Sequence, residues 1–363
     1  LGREIDNIKT MLQEHKFLVI ADESHHFKNV ETLNASNIRE IARHCTRKMI
    51  LTGTMMPKEL SDVYTQFDFL LTDSGILPNF ERFKEIYPND NLEAQRAVSE
   101  LLNPHFYRIS KQRLGLPPQT FNFTINPTTY SSTFTNPNDV VEMYDVQRRI
   151  YNVIAEMFAN PSEQDRADLL SLARWRKKCF VFLIEAATDP SLLPTDNQFT
   201  TNIFDSSQVQ DLRALVENYD GIKDIGPPRK LLRAMELADV TLNEGGKVVI
   251  WCSFLKTIDK LKKLFHERDI QTREIFGAVP ADEEEDPQYN RSLLIDQFRE
   301  DPNVNVLIAN PATLAESVSL QRECHHAIYV DRMFNGGHYM QSLERIHRVG
   351  LEPGTITKYD IIQ

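Results

Sequence analysis

Two adjacent carboxylates directly follow an apolar stretch near the beginning of the sequence. The letters FLVIA at residues 17–21 favour a buried strand, and Asp22 and Glu23 come next, followed closely by His25. Ligands of an open parallel sheet bind at the carboxyl ends of its strands. At such an end, one carboxylate can hold a hydrated Mg²⁺ ion, and its neighbour can orient or deprotonate a water that attacks a phosphoryl group. The alternative is a strand that ends in an ordinary polar loop.

A second polar group ends the next short apolar stretch. In MILTGTMMPKEL, the residues Thr52, Gly53 and Thr54 follow the apolar letters. Glycine permits a tight turn, and the two hydroxyls can form hydrogen bonds with a neighbouring acid or histidine. Without the carboxylates of the first group, this pattern would indicate only a strand that passes into a loop.

A pair of arginines lies close to the end of the sequence, in QSLERIHRVG. Arg345 and Arg348 are three positions apart, so on a helix they would share one face. Two guanidinium groups can clamp phosphate oxygens in a bidentate manner, which lysine does poorly. Taken by itself, the pair would favour a surface helix with two solvated arginines.

The elements around these residues alternate between helix and strand. Residues 1–125 combine helical patterns such as NASNIREIARHC with the apolar runs FLVIA and KMILTGT, and residues 227–363 repeat this rhythm. Such alternation predicts parallel sheets. Residues 126–226 differ, because MYDVQRRIYNVIAEMF and LLSLARWRKKCFVFLIEAA have apolar residues at helical spacing. We therefore predict an α/β protein with two parallel-sheet lobes, separated by a helical insertion and linker.

Composition limits the classes of protein to which the chain can belong. Its 363 residues are too many for one typical core, which favours two or three domains. The net charge of −11 argues against a generally basic nucleic-acid coat, although it permits a local basic channel. No apolar run reaches membrane-spanning length, so we expect no membrane partner. The four cysteines are scattered without a C-x-x-C pattern, as is typical of reduced thiols in a cytosolic compartment.

Together and in this order, the motifs resemble those of the helicase-like ATPases of superfamily two, in particular the Swi/Snf-type DNA translocases. DESHHFKN, LTGTMMPKEL and YMQSLERIHRVG are similar to motifs of that branch, and so are FYRISKQRLGLPPQ, DVQRRIY, KVVIWCSFLKTIDKL and VLIANPATLAESVSL. The resemblance spans nearly the whole chain, and the preserved order argues against coincidence. It implies that both lobes are RecA-like and that the first is incomplete at its N-terminus.

The resemblance also implies ATP as the nucleotide, Mg²⁺ as the metal, and a role for each site residue. The implied catalytic residues are Glu23, His25, Arg345 and Arg348, and the implied nucleotide-binding residues are Asp22, Thr52, Gly53, Thr54 and Gln341. Asp22 and Glu23 would be the metal site, with Glu23 activating the attacking water. His25 would couple the state of the γ-phosphate to Thr52 and Thr54. Arg348 would be an arginine finger, a group typically worth ~10³ to 10⁵ in turnover.

DNA is the partner that the resemblance implies, in double-stranded form and contacted through its backbone. The implied contact residues are Arg108, Lys111, Arg113, Thr313 and Phe334. Backbone contact would make binding largely independent of base sequence. A second cationic cluster, RWRKK at residues 174–178, lies in the helical insertion. For both clusters, an ordinary solvated face is an equal alternative.

The sequence also departs from the family's pattern. It contains no G-x-x-x-x-G-K-[ST], the loop whose backbone N–H groups and lysine hold phosphates. Because only 21 residues precede Asp22, we expect a fragment that begins inside the first lobe and is inactive by itself. ESVSL at 316–320 stands where the family has a Gly-x-Asn-Leu-like turn, and Phe334 where it has tryptophan. These departures favour a divergent bacterial or viral member.

The leading hypothesis is a nucleic-acid-stimulated ATPase motor that moves on duplex DNA. It would act in the cytoplasm of a bacterial or viral host cell, or in the nucleus of a eukaryote. One alternative is a non-catalytic scaffold that binds nucleic acid or protein, against which the intact carboxylates and arginines argue. A second alternative is the motor subunit of a restriction or anti-phage defence complex. Such a subunit would share this core and would add other subunits as partners.

Overall fold

The computed structural model divides the chain into two compact units, Leu1–Ser110 and Lys111–Gln363, called unit 1 and unit 2 below. The structure describes residues 2–53, 55–56, 59–88, 91–129, 131–160, 168–194, 206–219, 226–281, 286–314, 318–333 and 336–363. Among the helices in these ranges, none combines the length and the apolar character that crossing a membrane requires.

Unit 1 combines helices with one small parallel sheet. Its elements are α1 (Gly2–Glu14), β1 (Leu18–Ala21), α2 (Leu33–Ala42), β2 (Arg47–Ile50), α3 (Tyr64–Leu70), α4 (Phe80–Ile86) and α5 (Leu92–Leu102). The two strands pair in parallel, from Leu18 opposite Arg47 to Ala21 opposite Ile50. The strands predicted from FLVIA and KMILTGT are therefore present and adjacent.

The two faces of the small sheet have different surroundings. On one face, Val19 packs against the buried rings of Phe27 and Phe69. On the other face, Leu18 and Ile20 are 50% and 51% exposed. Parallel sheets are normally covered on both faces, so this side of β1 is an unusual exposed apolar surface.

Unit 2 is built on a larger sheet. Its elements are β3 (Gln119–Phe121), β4 (Phe123–Ile125), β5 (Ser132–Phe134), α6 (Asp145–Ala159), α7 (Leu169–Thr188), α8 (Ser206–Glu217), α9 (Arg229–Asn243), β6 (Lys247–Trp251), α10 (Leu255–His266), β7 (Gln271–Ile275), α11 (Arg291–Glu300), β8 (Val304–Ala309), α12 (Pro311–Leu314), β9 (Cys324–Tyr329), α13 (Gly336–Leu343) and β10 (Thr357–Ile361). Six of these strands form one sheet in the order β3-β10-β9-β6-β8-β7, and every pair in it is parallel.

Helices cover both faces of the large sheet. Alternate strand residues point to opposite faces, so Val249 and Trp251 belong to one apolar core and Val248 and Ile250 to the other. The first core also contains residues of α11, α12 and α13, and the second contains residues of α9 and α10. This arrangement is the doubly wound α/β architecture of a RecA-like lobe, and it confirms the predicted fold class.

The end of α11 is fixed by a lysine from the neighbouring strand. The ammonium group of Lys247 donates to the carbonyls of Phe298, Asp301 and Val304, the last two at 2.8 and 3.0 Å. The last carbonyls of a helix have no partner within the helix, and a cation at that end also complements the helix dipole. Lys247 therefore joins the start of β6 to the end of α11 and the start of β8.

The helices α6, α7 and α8 have an apolar core of their own, in which Ile150, Phe182 and Leu212 are buried. An ion pair ties this part to the sheet region of unit 2, because Lys260 of α10 lies 2.6 Å from the fully buried carboxylate of Asp189. The predicted helices of the insertion are therefore present, and they cluster within unit 2.

The boundary between the units lies earlier in the chain than the sequence suggested. The prediction placed the end of the first lobe at residue 125, whereas unit 2 begins at Lys111. The physical reason is strand pairing, because β3 aligns in parallel with β10 from Gln119 opposite Thr357 onwards. β3 therefore extends the large sheet.

Candidate functional site

The predicted polar residues of unit 1 lie at the shared carboxyl edge of β1 and β2. The backbone N–H of Leu51 donates to the carbonyl of Ala21 at 2.9 Å, and the N–H of Ser24 donates to the carbonyl of Leu51 at 3.0 Å. These hydrogen bonds continue the pairing beyond the ends of the strands. They bring the segment that begins at Asp22 beside the segment that begins at Thr52.

Glu23 adopts a left-handed backbone conformation, with φ 46° and ψ 48°. This conformation is uncommon for a residue other than glycine, asparagine or aspartate, and it costs on the order of 1–3 kcal/mol. The N–H of Glu23 donates to Asp22 Oδ1 at 2.8 Å, and a 3₁₀ turn over Ser24–Phe27 begins at once. Strained non-glycine residues are enriched at functional sites, so the strain agrees with a functional side chain here.

His25 links the two strand ends through its imidazole ring. Its Nδ1 atom lies 3.2 Å from Thr52 Oγ1 and 3.2 Å from Glu23 Oε2. One nitrogen atom is therefore within hydrogen-bonding distance of a hydroxyl on one segment and of a carboxylate on the other. The structure thus brings together three of the residues that the sequence singled out.

Ser24 and Gln66 form a buried polar pair that holds this turn in place, and the sequence analysis missed it. Ser24 is fully buried and its hydroxyl donates to Gln66 Oε1 at 2.6 Å. The amide of Gln66, on α3, donates in turn to the carbonyls of Met55 and Asp62, both at 2.8 Å. Buried polar groups need such partners. The available signal was a glutamine inside the largely apolar run VYTQFDFL.

The two carboxylates fit a magnesium ion better than a metal held wholly by the protein. In the part of the chain that the structure describes, no three His, Cys, Asp or Glu side chains are grouped so that they could hold a metal. Asp22 is exposed, and the side chain of Glu23 is 38% exposed. Mg²⁺ commonly keeps several waters and takes one or two carboxylates together with phosphate oxygens. An accessible pair of neighbouring carboxylates meets that requirement.

Gly53 and Thr54 remain predictions as nucleotide contacts. A Cβ atom added to Gly53 would meet no atom within 4 Å, and its φ angle lies outside the left-handed region. Neither crowding nor backbone conformation therefore requires glycine at this position. Thr54 lies outside the described residues.

Arg345 and Arg348 are not on a helix, which corrects the expectation of a shared helical face. α13 ends at Leu343, and the chain then forms turns in which the N–H of Arg345 donates to the carbonyl of Ser342. The N–H of Leu320 also donates to the carbonyl of Arg345 at 2.9 Å. This bond to a distant segment fixes the backbone in a turn, where a continued helix would use the same carbonyl internally.

The two guanidinium groups nevertheless converge on one carbonyl. Arg345 Nη1 and Arg348 Nη1 donate to the carbonyl of Val318 at 3.0 and 3.2 Å. Arg348 Nη1 also donates to the hydroxyl of Ser319 at 2.9 Å. Arg345 is buried, and its Nε donates to the carbonyl of Gln341 at 3.0 Å. Gln341 therefore contributes its backbone to the position of Arg345, and its proposed contact with nucleotide stays a prediction.

The predicted DNA contacts near the unit boundary lie at the surface. Arg108 of unit 1 and Arg113 of unit 2 are exposed. Lys111 forms an ion pair with Glu344 at 3.0 Å, in which both side chains are partly accessible. An exposed pair of this kind contributes little to stability, so Lys111 can exchange its partner for a phosphate at small cost.

Of the two remaining predicted DNA contacts, one lies within the described residues. Thr313 lies on α12, just after the carboxyl end of β8. Phe334 lies outside the described residues. In the RWRKK cluster, the four basic side chains are exposed on α7, while Trp175 is buried and stacks on Phe158 with 5.6 Å between ring centroids.

The carboxyl edge of the large sheet carries a polar group that the sequence analysis did not identify. Asp331 Oδ1 accepts the N–H of Ser253 at 2.8 Å, and the Asn310 amide donates to the carbonyl of Ser253 at 2.9 Å. Burial raises the pKa of Asp331 and lowers the pKa of the nearby Lys230 to about 8. The signal was the polar letter that follows each strand, in WCS, IAN and YVD.

Comparison with protein-family models decides the assignment of the chain. The model described as the SNF2-related domain matches residues 3–181, and the model described as the helicase conserved C-terminal domain matches residues 229–350. Together they account for most of the chain, in the order that the family requires. The chain belongs to the SNF2-related family of helicase-like ATPases. The resemblance to Swi/Snf-type ATPases seen in the sequence motifs is therefore confirmed.

Curated SNF2-related relatives match along nearly the whole chain at low identity. The DNA repair and recombination protein RDH54 of Saccharomyces cerevisiae is 25% identical over 95% of this chain and 35% of its own length. The DNA excision repair protein ERCC-6-like of Mus musculus is 21% identical over 93% of this chain and 29% of its own length. The ISWI chromatin-remodeling complex ATPase ISW2 of S. cerevisiae is 22% identical. The chain thus spans about a third of the length of these SNF2-related proteins.

Solved structures of related ATPases align with the chain at low scores. The C-terminal part of the Fun30 ATPase domain gives a TM-score of 0.44 at 17% identity, over 68% of this chain and 85% of that one. The Sulfolobus solfataricus SWI2/SNF2 ATPase core in complex with dsDNA gives a TM-score of 0.37 at 15% identity, over 99% of this chain and 66% of that one. Because these scores are low, the family assignment depends on the sequence models alone.

Proposed function

We propose that this chain is the core of a motor that hydrolyses ATP with Mg²⁺ and moves along duplex DNA. SNF2-related proteins form a family of DNA-dependent ATPase motors, and this chain retains their motif order. The observation that best supports catalysis is the group at the end of β1, where His25 Nδ1 lies 3.2 Å from both Glu23 and Thr52. The strained conformation of Glu23 agrees with this role, because such strain is enriched at active sites.

Each residue of this group has a distinct proposed role. Bound Mg²⁺ would neutralise charge on the phosphate oxygens of ATP, and Asp22 would hold the hydrated ion. Glu23 would orient the attacking water and accept its proton. His25 would keep Glu23 and Thr52 in one arrangement, because its Nδ1 atom can bond to either of them.

Arg348 is the residue that we propose for stabilising the charge that develops on the transferring phosphoryl group. Its Nη1 atom is held by Val318 and Ser319. In the part of the chain that the structure describes, its Nε and Nη2 atoms have no hydrogen-bond partner, which leaves donors for an anion. Guanidinium donors bind phosphate oxygens well because their geometry matches two acceptors at once.

The proposal of DNA as partner is supported by the names of the relatives. RDH54 and the ERCC-6-like protein are named for DNA repair, and ISW2 is named as the ATPase of a chromatin-remodeling complex. We propose that Arg108, Lys111 and Arg113 contact DNA phosphates, and that the motor works with other subunits. Its cellular site would then be wherever its DNA lies, the cytoplasm in a bacterium and the nucleus in a eukaryote.

The direct test is phosphate release by the full-length protein that contains this chain, with and without duplex DNA. We expect DNA to raise the turnover and Glu23→Gln to abolish it while ATP still binds. The matched control is Glu31→Gln, because Glu31 is an exposed glutamate of the same unit. Unchanged turnover in Glu23→Gln would remove Glu23 from the mechanism. Absence of turnover in the unaltered protein, despite bound DNA, would favour the non-catalytic scaffold.

A further inference from the structure

Three guanidinium groups from different parts of unit 2 converge on the two residues Val318 and Ser319. Arg345 and Arg348 donate to the carbonyl of Val318, and Arg348 donates also to the Ser319 hydroxyl. Arg299 Nη2, from α11, donates to the carbonyl of Ser319 at 2.6 Å. Hydrogen bonds with a charged donor are roughly twice as strong as neutral ones, so this short segment is held firmly.

The segment is also anchored by the backbone and by the core. The neighbouring Leu320 is fully buried in an apolar core of the large sheet. Its N–H donates to the carbonyl of Arg345, and its own carbonyl accepts the N–H of Cys324 at 2.9 Å. The segment is therefore a rigid support between α11 and the turn that carries Arg348.

Arg299 is itself held in place on α11. Its Nη1 atom lies 3.2 Å from Asp296 Oδ1, one helical turn earlier. The guanidinium group therefore connects a helix to the Ser319 carbonyl in a defined orientation. Arg299 and Arg348 bind different atoms, and Ser319 is the residue that both of them contact, so it connects the two by hydrogen bonds.

We infer that Ser319 and Arg299 are positioning residues for Arg348. This inference rests on the proposed function, in which Arg348 contacts the reacting phosphoryl group. Ser319 fixes one nitrogen of the Arg348 guanidinium and thereby directs its Nε and Nη2 donors, and Arg299 keeps Ser319 in place. The order of importance is Arg348, then Ser319, then Arg299. Accurate placement of a charged group matters because small displacements of catalytic groups cost large factors in rate.

The test is steady-state ATP hydrolysis by the full-length protein with saturating DNA. Ser319→Ala should lower kcat about tenfold, the value of one hydrogen bond to a charged group, with KM for ATP nearly unchanged. Ser319→Thr keeps the hydroxyl and should restore most of the rate. Arg299→Met should lower kcat severalfold, and Arg299→Lys less, because lysine keeps a charged donor. Ser292→Ala and Arg322→Ala are exposed controls in the same unit.

A double-mutant cycle separates positioning from general structural damage. In an Arg348→Lys background, which keeps a charge but not the fork of donors, Ser319→Ala should have little further effect on kcat. Additive losses, or full activity in Ser319→Ala, would overturn the inference while leaving the proposed function intact. Unchanged turnover in Arg348→Ala would instead contradict the proposed function itself. Failure of the positioning inference and failure of the proposed function therefore give different results.

Discussion

The carboxylates of unit 1 and the arginines of unit 2 are held in different ways. Asp22 and Glu23 follow a two-stranded sheet with one open face, and their side chains are accessible. Arg345 and Arg348 lie beside a six-stranded sheet covered on both faces, and their guanidiniums are bound to main-chain carbonyls. The first group is therefore placed by backbone conformation, and the second by a network of side-chain hydrogen bonds.

This difference indicates where function and stability can be separated. In unit 1, the strained conformation of Glu23 opposes folding, so the site is maintained at a cost to stability. In unit 2, the same hydrogen bonds that direct Arg348 also join α11, the 318–320 segment and the final turns. We therefore expect substitutions at Glu23 to separate activity from stability. Substitutions in the hydrogen-bond network around Arg348 should change stability, activity or both.

The largest expected effect concerns Arg348. Arg348→Ala should lower DNA-stimulated turnover by ~10³ or more, as loss of an arginine finger does, and should lower the urea midpoint of unit 2 only modestly, because Arg348 is half-buried and Arg345 and Arg299 still hold the 318–320 segment. Both tryptophans of the sequence, Trp175 and Trp251, lie in unit 2, so their fluorescence reports on its unfolding. The control is Arg322→Ala. Retention of more than a tenth of the turnover would contradict the role.

Substitution of Arg345 should have its main effect on the stability of unit 2. Arg345 is buried and bonds to the carbonyls of Gln341 and Val318, so Arg345→Met should lower the free energy of unfolding of unit 2 by about 3 kcal/mol. Tryptophan fluorescence in urea measures this, with Arg348→Met as the matched comparison at about 1 kcal/mol, because Arg348 is half-buried and water can replace part of its bonding. Equal effects of the two substitutions would remove the distinction between them.

The stability of unit 2 should depend on pH through Glu185. Burial raises the pKa of Glu185 on α7 from 4.5 to about 7, and one of its carboxylate oxygens has no hydrogen-bond partner. The raised pKa means that Glu185 favours folding fully below pH 4.5 and that this contribution is lost as the pH rises through 7. Glu185→Gln should therefore stabilise unit 2 by about 2 kcal/mol at pH 8 and by almost nothing at pH 4.

Urea titrations of tryptophan fluorescence at the two pH values measure this difference. The control is Glu217→Gln, because Glu217 is exposed on α8 and has an ion pair at the surface with Arg213. A Glu185→Gln effect of equal size at both pH values would show that Glu185 is not the titrating group.

The smallest expected change in stability separates strain from function at Glu23. Glu23→Gly should stabilise unit 1 by about 1 kcal/mol, because glycine adopts positive φ without strain, and it should abolish turnover. Hydrogen exchange of the backbone amides of β1 and β2 measures local stability. Glu23→Gln should abolish turnover without the gain in protection. Equal protection in both variants would show that the conformation carries no strain.

The sequence predicted the strands and the proximity of their ends, because both follow from local patterns. FLVIA and KMILTGT are short apolar runs, and parallel pairing alone is enough to bring Asp22 beside Thr52. Likewise, the buried strands of unit 2 read as continuous apolar runs such as VVIW. A parallel sheet covered on both faces requires that pattern.

The sequence could not predict features that depend on distant partners. Arg345 and Arg348 have helical spacing, yet they lie in turns because the N–H of Leu320, far away in the chain, bonds to the carbonyl of Arg345. The role of Gln66 depends in the same way on Ser24, which reaches it only in the folded unit. The edge position of β3 was missed because its partner β10 is more than two hundred residues away.

The environment of Lys247 has a practical consequence for chemical footprinting. Its ammonium group is occupied by the carbonyls of Phe298, Asp301 and Val304 at the end of α11. An amine-reactive label needs a free, deprotonated nitrogen, so Lys247 should stay unmodified in the native protein while exposed lysines such as Lys178 react. Label on Lys247, detected by mass spectrometry, would then report that the contact between β6 and the end of α11 has opened.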